Sequence, residues 1–234
     1  MNIPAITTDQ MREVDRLMVE TYHINLLQMM ENAGRSLAEL ARRRLDGIAA
    51  GKSIAVICGP GNNGGGGMVA ARALHNWGAD VKVFLASDPA RLKEIPAWQW
   101  AILRGLGLDR REVKHTSADL ILDALLGYGI SGNPRPPVAD WIDWLNEQPA
   151  PILALDVPSG LDATSGRAYQ PTVRATETLT LALPKTGLII PSAKQFVGDL
   201  YLADIGVPPE LYANHSLLLH VDPIFSGESI LRLE

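Results

Sequence analysis

The sequence lacks the features that mark secreted, membrane-spanning or nucleic-acid-binding proteins. Its 234 residues include one cysteine, Cys58, so a fold stabilised by internal disulfides is excluded. Acidic residues outnumber basic ones, 26 to 21, and this net charge of −5 argues against a basic nucleic-acid surface. No run approaches the roughly 20 apolar residues of a membrane span, and the first residues do not read as a signal peptide. We therefore expect a cytoplasmic globular protein that binds neither nucleic acid nor membranes.

Length and composition are those of one globular domain. Apolar residues make up 47% of the chain, which is enough for a full core. The length fits one domain of about 100–200 residues with an extension, and no repeat or interdomain linker is evident. We predict a single domain over residues 1–234.

Two helical patterns open the chain. Thr7 and Gln10 have the spacing of a capping box, and apolar residues follow at helical intervals from Met11 to Tyr22. The second pattern runs from Leu26 to Ala41. It ends in residues 42–44, three arginines whose charge suits the carboxyl end of a helix.

Beyond these helices, short and continuous apolar runs alternate with helical segments. The predicted strands are residues 53–58, 81–86, 120–122, 152–155, 178–183 and 200–203. The predicted helices between the first four are residues 67–77, 97–106 and 138–148. Continuous apolar runs indicate strands buried on both faces, so the pattern predicts a three-layer α/β sandwich around a mostly parallel sheet. No clear helix separates the last two strands, and we expect an antiparallel edge there.

Three polar loops directly follow predicted strands and contain the residues that could bind a ligand or take part in a reaction. They are residues 59–67, 123–129 and 156–160. In open parallel sheets, ligands bind beyond the carboxyl ends of the strands. We therefore expect all three loops to meet at one rim and form a binding site.

The first loop contains Gly59-x-Gly61-x-x-Gly64, a dinucleotide-binding pattern placed between a strand and a helix. Glycines there permit positive φ and a close approach of backbone N–H groups to phosphate. A plain structural turn is the alternative. Asp88 ends the next strand, where an acid that binds ribose could sit, so an NAD-dependent dehydrogenase is one interpretation.

Asp123, Asp156 and Ser159 occupy the other two loops. An isolated Asp at a strand end usually caps its own loop, but two of them on one rim favour a functional role. Ser159 lies in Asp-Val-Pro-Ser-Gly, which is not the Gly-x-Ser-x-Gly motif of a hydrolase nucleophile.

At these loops the sequence resembles the NAD(P)H-hydrate epimerase family, whose domain is also called the YjeF N-terminal domain. The resemblance runs from about residue 8 to residue 209. Its motifs in this chain are MREVD (11–15), MENAG (30–34), GPGNNGG (59–65), DALLGYG (123–129), DVPSG (156–160) and DIGVP (204–208).

The resemblance implies a Rossmann-like fold, a homodimer, and interconversion of the R and S forms of hydrated NADH and NADPH (NADHX and NADPHX). Such an epimerase repairs damaged cofactor by supplying the S form to a separate dehydratase. Only 25 residues follow Pro209, so we expect no fused dehydratase domain in this chain.

The resemblance also implies site residues. The substrate would be held by Asp156 and by two loop segments: Asn62, Asn63, Gly64, Gly65 and Gly66, and Gly127, Tyr128, Gly129, Ile130, Ser131, Gly132 and Asn133. One potassium ion per subunit would be held by Asn63, Asp123 and Ser159, whose oxygens suit a hard cation. We hypothesise that Asp156 is the main acid–base residue.

One position departs from the family pattern. The family usually reads Asn-Asn-Gly-Gly-Asp-Gly, and here Gly66 stands in place of the Asp. The chain is therefore an epimerase that works without this carboxylate, an epimerase of reduced activity, an engineered variant, or a non-catalytic relative that binds nucleotides or acts as a scaffold. The same fold occurs in an mRNA-decapping enhancer that acts by association.

Overall fold

The computed structural model describes residues 3–110 and 117–233, which form one eight-stranded sheet with flanking helices. The helices are α1 (Thr8–Glu20), α2 (Leu26–Arg44), α3 (Asn62–Asn76), α4 (Glu94–Gly105), α5 (Val138–Asn146), α6 (Lys194–Val197) and α7 (Pro209–Tyr212). The strands are β1 (Ser53–Cys58), β2 (Asp80–Leu85), β3 (Asp109–Arg110), β4 (Leu120–Ala124), β5 (Ile152–Leu155), β6 (Glu177–Leu181), β7 (Asp199–Ala203) and β8 (Ile230–Leu233).

The strand order is β3-β2-β1-β4-β5-β6-β7-β8, and every neighbouring pair from β3 to β7 is parallel. The expected α/β sandwich is confirmed, but the antiparallel edge was predicted at the wrong pair of strands. β6 and β7 are parallel, with two 3-10 turns and the short helix α6 between them. The antiparallel partner of β7 is β8, which the sequence pattern did not reveal.

Alternate residues of the central strands face two separate cores. Ile54, Val56 and Cys58 of β1 pack with residues of α2, α3 and α4. Ala55 and Ile57 face the other side, where they pack with α5. The sheet is thus covered on both faces, which explains why its strands read as continuous apolar runs.

Both N-terminal helices have the predicted ends. Thr7 and Gln10 form the capping box of α1, and the three arginines fall in the last turn of α2. Met11, Val14, Leu17 and Met18 of α1 are buried in a third core beside β7 and the C-terminal segment. Within residues 3–110 and 117–233, no helix is both long enough and apolar enough to cross a bilayer.

Helix α3 begins at Asn62, five residues earlier than predicted, so most of the glycine cluster is helical. None of the cluster's glycines has a positive φ. Close packing requires them instead: a Cβ on Gly59 would lie 1.9 Å from the carbonyl oxygen of Leu125, and one on Gly64 would lie 1.9 Å from that of Gly59. The cluster thus does not use the positive φ that glycine permits, and glycine instead brings α3 directly against the ends of β1 and β4.

Candidate functional site

A cavity of about 530 Å³ opens beyond the carboxyl ends of the parallel strands. From β1 the strand order runs outward to β2 and β3 on one side, and β4 lies on the other. The loops after β1 and β4 therefore flank the point where the order reverses, which is where open α/β sheets bind ligands. The amino end of α3 lies at this cavity, with Gly61, Asn62 and Asn63 in its wall.

Asp156 is held in this wall by an unusual backbone and a buried ion pair. Its φ of 66° is in the left-handed region, which costs a non-glycine residue about 1–2 kcal/mol. Oδ1 accepts a hydrogen bond of 2.6 Å from Lys185 Nζ, and Oδ2 accepts one of 3.2 Å from the N–H of Tyr128. The side chains of Lys185 and Asp156 are 1% and 5% exposed, so water screens this pair weakly.

Tyr128 joins a second carboxylate to the site. Its hydroxyl donates a hydrogen bond of 2.5 Å to Oδ2 of Asp15, a residue of α1 that also lines the cavity. Desolvation raises the pKa of Asp15, although the hydrogen bond from Tyr128 opposes this. Burial, with the nearby Asp15 charge, raises the pKa of the Tyr128 hydroxyl well above its usual range.

Asp123 and Ser159 form a compact polar cluster beneath the loop after β4. Asp123 Oδ1 accepts from the hydroxyl of Ser159 at 2.7 Å and from the N–H of Leu125 at 3.1 Å. Its Oδ2 accepts from the N–H of Ser159 at 2.9 Å. Desolvation raises the pKa of this buried carboxyl to about 6. Asn63 reaches the same loop, where its side-chain amide donates to the carbonyl of Leu126 at 2.9 Å.

These contacts bring together the three residues expected to hold potassium. Ser159 Oγ lies 2.9 Å from the N–H of Leu126 and 3.3 Å from its carbonyl oxygen, so Ser159 links Asp123 to the backbone of Leu126, which Asn63 also contacts. The hydrogen-bond donors to Asp123 are neutral. A fully buried carboxylate with neutral partners and nearby oxygen donors fits a hard cation.

The structure separates the expected substrate residues into two groups. The cavity wall includes Asn62, Asn63, Gly66, Gly127, Tyr128, Gly129, Ile130 and Asp156. Five others are outside the wall: Gly64, Gly65, Ser131, Gly132 and Asn133. Gly64 and Gly65 are buried in the packing of α3, and Asn133 accepts a hydrogen bond from the N–H of Gln170.

Several residues of the site were missed in the sequence, most notably Lys185, which is buried behind the cavity wall as the partner of Asp156. It follows β6 after an apolar run and thus shares the rim with Asp123 and Asp156, which is a signal that could have found it. Asp15 ends the MREVD motif (11–15), but nothing in the sequence alone assigns it a role in the site. The wall also contains Arg12, Lys93 and an apolar set from α1, α2 and the sheet: Met11, Leu26, Met29, Met30, Ala33, Leu155, Leu181 and Ile205.

Asp88 does not take the place of a ribose-binding acid. It is exposed, and its carboxylate caps a 3-10 turn by accepting from the N–H of Ala90 at 2.9 Å. It is not part of the cavity wall. Two features suggested a dehydrogenase, the Gly-x-Gly-x-x-Gly motif and Asp88. The structure removes the second of them.

Gly66 gives the cavity an apolar wall at the position where the family pattern has Asp. A Cβ here would lie 2.7 Å from Cδ2 of Leu155, and no other heavy atom beyond its own neighbourhood lies within 4 Å. Because the obstacle is the end of a flexible side chain, a larger residue would need only a small shift of Leu155.

The chain is similar to known proteins in both sequence and structure. Residues 26–187 match the family model described as YjeF-related protein N-terminus. The chain is 44% identical to an NAD(P)H-hydrate epimerase of Dehalogenimonas lykanthroporepellens, over 96% of this chain and 91% of that one. It is 37% identical to a bifunctional NAD(P)H-hydrate repair enzyme Nnr of Moorella thermoacetica, over 89% of this chain but 41% of that one.

A solved structure is also similar. The crystal structure of yeast ynu0, YNL200c, superposes with a TM-score of 0.83 at 26% identity, and the match covers 99% of this chain and all of that one. The family model, the relatives and the shared fold lead to one conclusion. The chain belongs to the family of YjeF-related protein N-terminal domains.

Proposed function

We propose that this chain interconverts the R and S epimers of hydrated NADH and NADPH. The observation that carries the proposal is the cavity at the strand-order reversal, whose wall contains both the start of α3 and Asp156, the carboxylate that Lys185 holds from behind. Relatives named NAD(P)H-hydrate epimerase support the substrate class.

The start of α3 is suited to the dinucleotide phosphates. The first N–H groups of a helix have no intrahelical acceptor, and the helix dipole favours anions there. Gly61 caps α3 without a side-chain hydrogen bond, so no side chain of the cap competes for these groups. Lys93 in the same wall adds a positive charge. Asn62 and Asn63 would bind the phosphates, and the loop from Gly127 to Asn133 would cover the rest of the substrate.

The reaction needs proton transfer at oxygen or nitrogen. C6 of the hydrate bears a hydroxyl beside the ring nitrogen, and its inversion requires that a C–O or C–N bond opens and closes on the other face. A positioned side chain accelerates such proton transfers by about 10²–10⁴-fold. Asp156 is the acid–base residue that we propose: its Oδ2 faces the loop after β4, and Lys185 fixes the carboxylate in place.

Gly66 is compatible with activity in this proposal, since two other carboxylates, Asp156 and Asp15, line the cavity.

Potassium belongs to the proposal as well, with Asn63, Asp123 and Ser159 as its ligands. Its charge would neutralise the buried carboxylate and stabilise the loop after β4. If so, potassium chloride should raise the melting temperature above that in choline chloride, and Asp123→Asn should abolish the difference.

We also propose a homodimer, and the outer face of α4 is its best surface. Trp98, Ala101, Ile102, Gly105 and Leu106 are all exposed and recur at helical spacing, without a charge among them. The small Ala101 and Gly105 would let a second α4 approach closely, with Trp98 of one copy over the small residues of the other. Light scattering should report a dimer, and Trp98→Glu should reduce it to monomer. A wild-type monomer at micromolar concentration would contradict this.

We propose that the chain works in the cytoplasm beside a separate dehydratase that consumes the S epimer. Its single thiol, Cys58, fits a reducing compartment.

The test is a coupled assay with R-NADHX and an S-specific dehydratase. We expect the wild-type chain to accelerate loss of the R form, Asp156→Asn to lower kcat by at least about 10²-fold, and Asp88→Asn to match wild type. If neither wild type nor Gly66→Asp accelerates the loss, the chain is a binding module instead.

A further inference from the structure

The cavity contains a second carboxylate beside Asp156. Asp15 projects from α1, and its side chain and that of Asp156 line the same space. The two differ in their partners. Asp156 is bound to the ammonium of Lys185, whereas Oδ2 of Asp15 accepts from the neutral hydroxyl of Tyr128. Among the hydrogen bonds of residues 3–110 and 117–233, Oδ1 of Asp15 has none.

Tyr128 fixes the spacing of the two carboxylates. Its backbone N–H contacts Asp156 and its hydroxyl contacts Asp15, so the two acids are held apart by the length of one tyrosine. Both carboxylates line the same cavity, so a substrate bound there lies beside both of them. This arrangement suits a reaction that exchanges protons at the C6 hydroxyl oxygen and at the ring nitrogen beside it.

Three charged residues and the neutral hydroxyl of Tyr128 surround Asp15. Lys185 and the hydroxyl of Tyr128 favour its ionised form, Asp156 disfavours it, and Arg12 lies one turn earlier on α1 in the same wall. Burial outweighs the favourable contacts, so the pKa of Asp15 is raised above that of an exposed aspartate. Two acids with different environments are the usual basis for dividing acid and base roles.

We propose that Asp15 is the general acid that acts opposite Asp156, and that Tyr128 is its positioning residue. This inference rests on the proposed epimerase function. In the opening step, the Asp156 carboxylate takes the proton of the C6 hydroxyl. A carbonyl forms, the C6–N1 bond breaks, and its electron pair goes to N1, which takes a proton from Asp15. Closure on the other face returns both protons, so no oxidant or co-reactant is needed.

The experiment compares Asp15→Asn, Tyr128→Phe and the control Glu20→Gln, an exposed residue of the same helix. We expect Asp15→Asn to lower kcat by about 10²–10⁴-fold with little change in KM, and Asp15→Glu to restore part of it. Glu20→Gln should match wild type. Thermal unfolding of each variant reports its folding.

Tyr128→Phe provides a readout that a purely structural role would not change. It removes a hydrogen bond to the ionised form, so the pKa of Asp15 should rise and the alkaline limb of the kcat/KM profile should move to higher pH. This variant also keeps the test decisive if Asp15→Asn fails to fold.

The outcomes separate the two proposals. An active wild type with Asp15→Asn within 3-fold of it, or with an unmoved alkaline limb in Tyr128→Phe, overturns the acid role alone. A wild type without epimerase activity overturns the proposed function and this inference with it.

Discussion

Replacing Lys185 with methionine should destabilise the protein far more than a surface lysine would. Lys185 Nζ donates to Asp156 Oδ1 at 2.6 Å, to the carbonyl of Leu181 at 2.9 Å and to Thr180 Oγ1 at 3.3 Å. Methionine fills similar volume but offers no donor. The Asp156 carboxylate, 5% exposed, would then be buried without its counter-charge.

The expected magnitude follows from this burial. Removing one partner of a buried ion pair costs about 3–5 kcal/mol, because the remaining charge is not compensated. In a chain of this size each kcal/mol lowers the melting temperature by about 2–4 °C, so Lys185→Met should melt about 6–20 °C below wild type. Lys194, with 68% of its side chain exposed, is the matched control, and Lys194→Met should cost no more than about 1 kcal/mol.

Urea unfolding of the single variants and of Asp156→Asn/Lys185→Met measures the coupling directly. The double variant should recover part of the stability lost in Lys185→Met. Asparagine at position 156 removes the unpaired buried carboxylate and tolerates the left-handed backbone of that residue. The reasoning fails if Lys185→Met unfolds like Lys194→Met. It also fails if the double variant is less stable than Lys185→Met.

Three further predictions test the fold and its interior. Gly64→Ala should cost at least about 3 kcal/mol or prevent folding, since its Cβ would lie 1.9 Å from the Gly59 carbonyl oxygen. Gly61→Ala, with nothing within 4 Å, should cost about 1 kcal/mol or less in the same urea titration. Burial raises the pKa of Cys58 well above that of a free thiol, so its labelling by a thiol reagent at pH 8 should follow global unfolding; rapid labelling of the native protein would contradict this. Thr7→Ala removes the α1 capping box and should lower the unfolding free energy by about 0.5–2 kcal/mol, whereas an unchanged midpoint would mean that the cap adds nothing.

The polar loops could be predicted from the sequence because the relevant signals are local. Asp123 and Asp156 each follow a continuous apolar run, and parallel strands bring such positions to one rim. The reason for the glycines could not be predicted in this way. The cluster suggested positive φ, whereas Gly59 and Gly64 serve close contacts between backbone segments, which depend on the final packing of α3 against the sheet.

By itself, the sequence determined the α/β architecture, the two N-terminal helices with the capping box of the first, and the rim on which a ligand would bind. These follow from hydrophobic periodicity and capping residues, which act over a few positions. Only the tertiary structure decided that Lys185 would pair with Asp156, 29 residues away, and that Asp15 would meet Tyr128, 113 residues away. It also decided that β8 would close the sheet edge. Such pairings depend on strand order and on the path of the chain around the sheet, so a pattern of a few neighbouring residues cannot predict them.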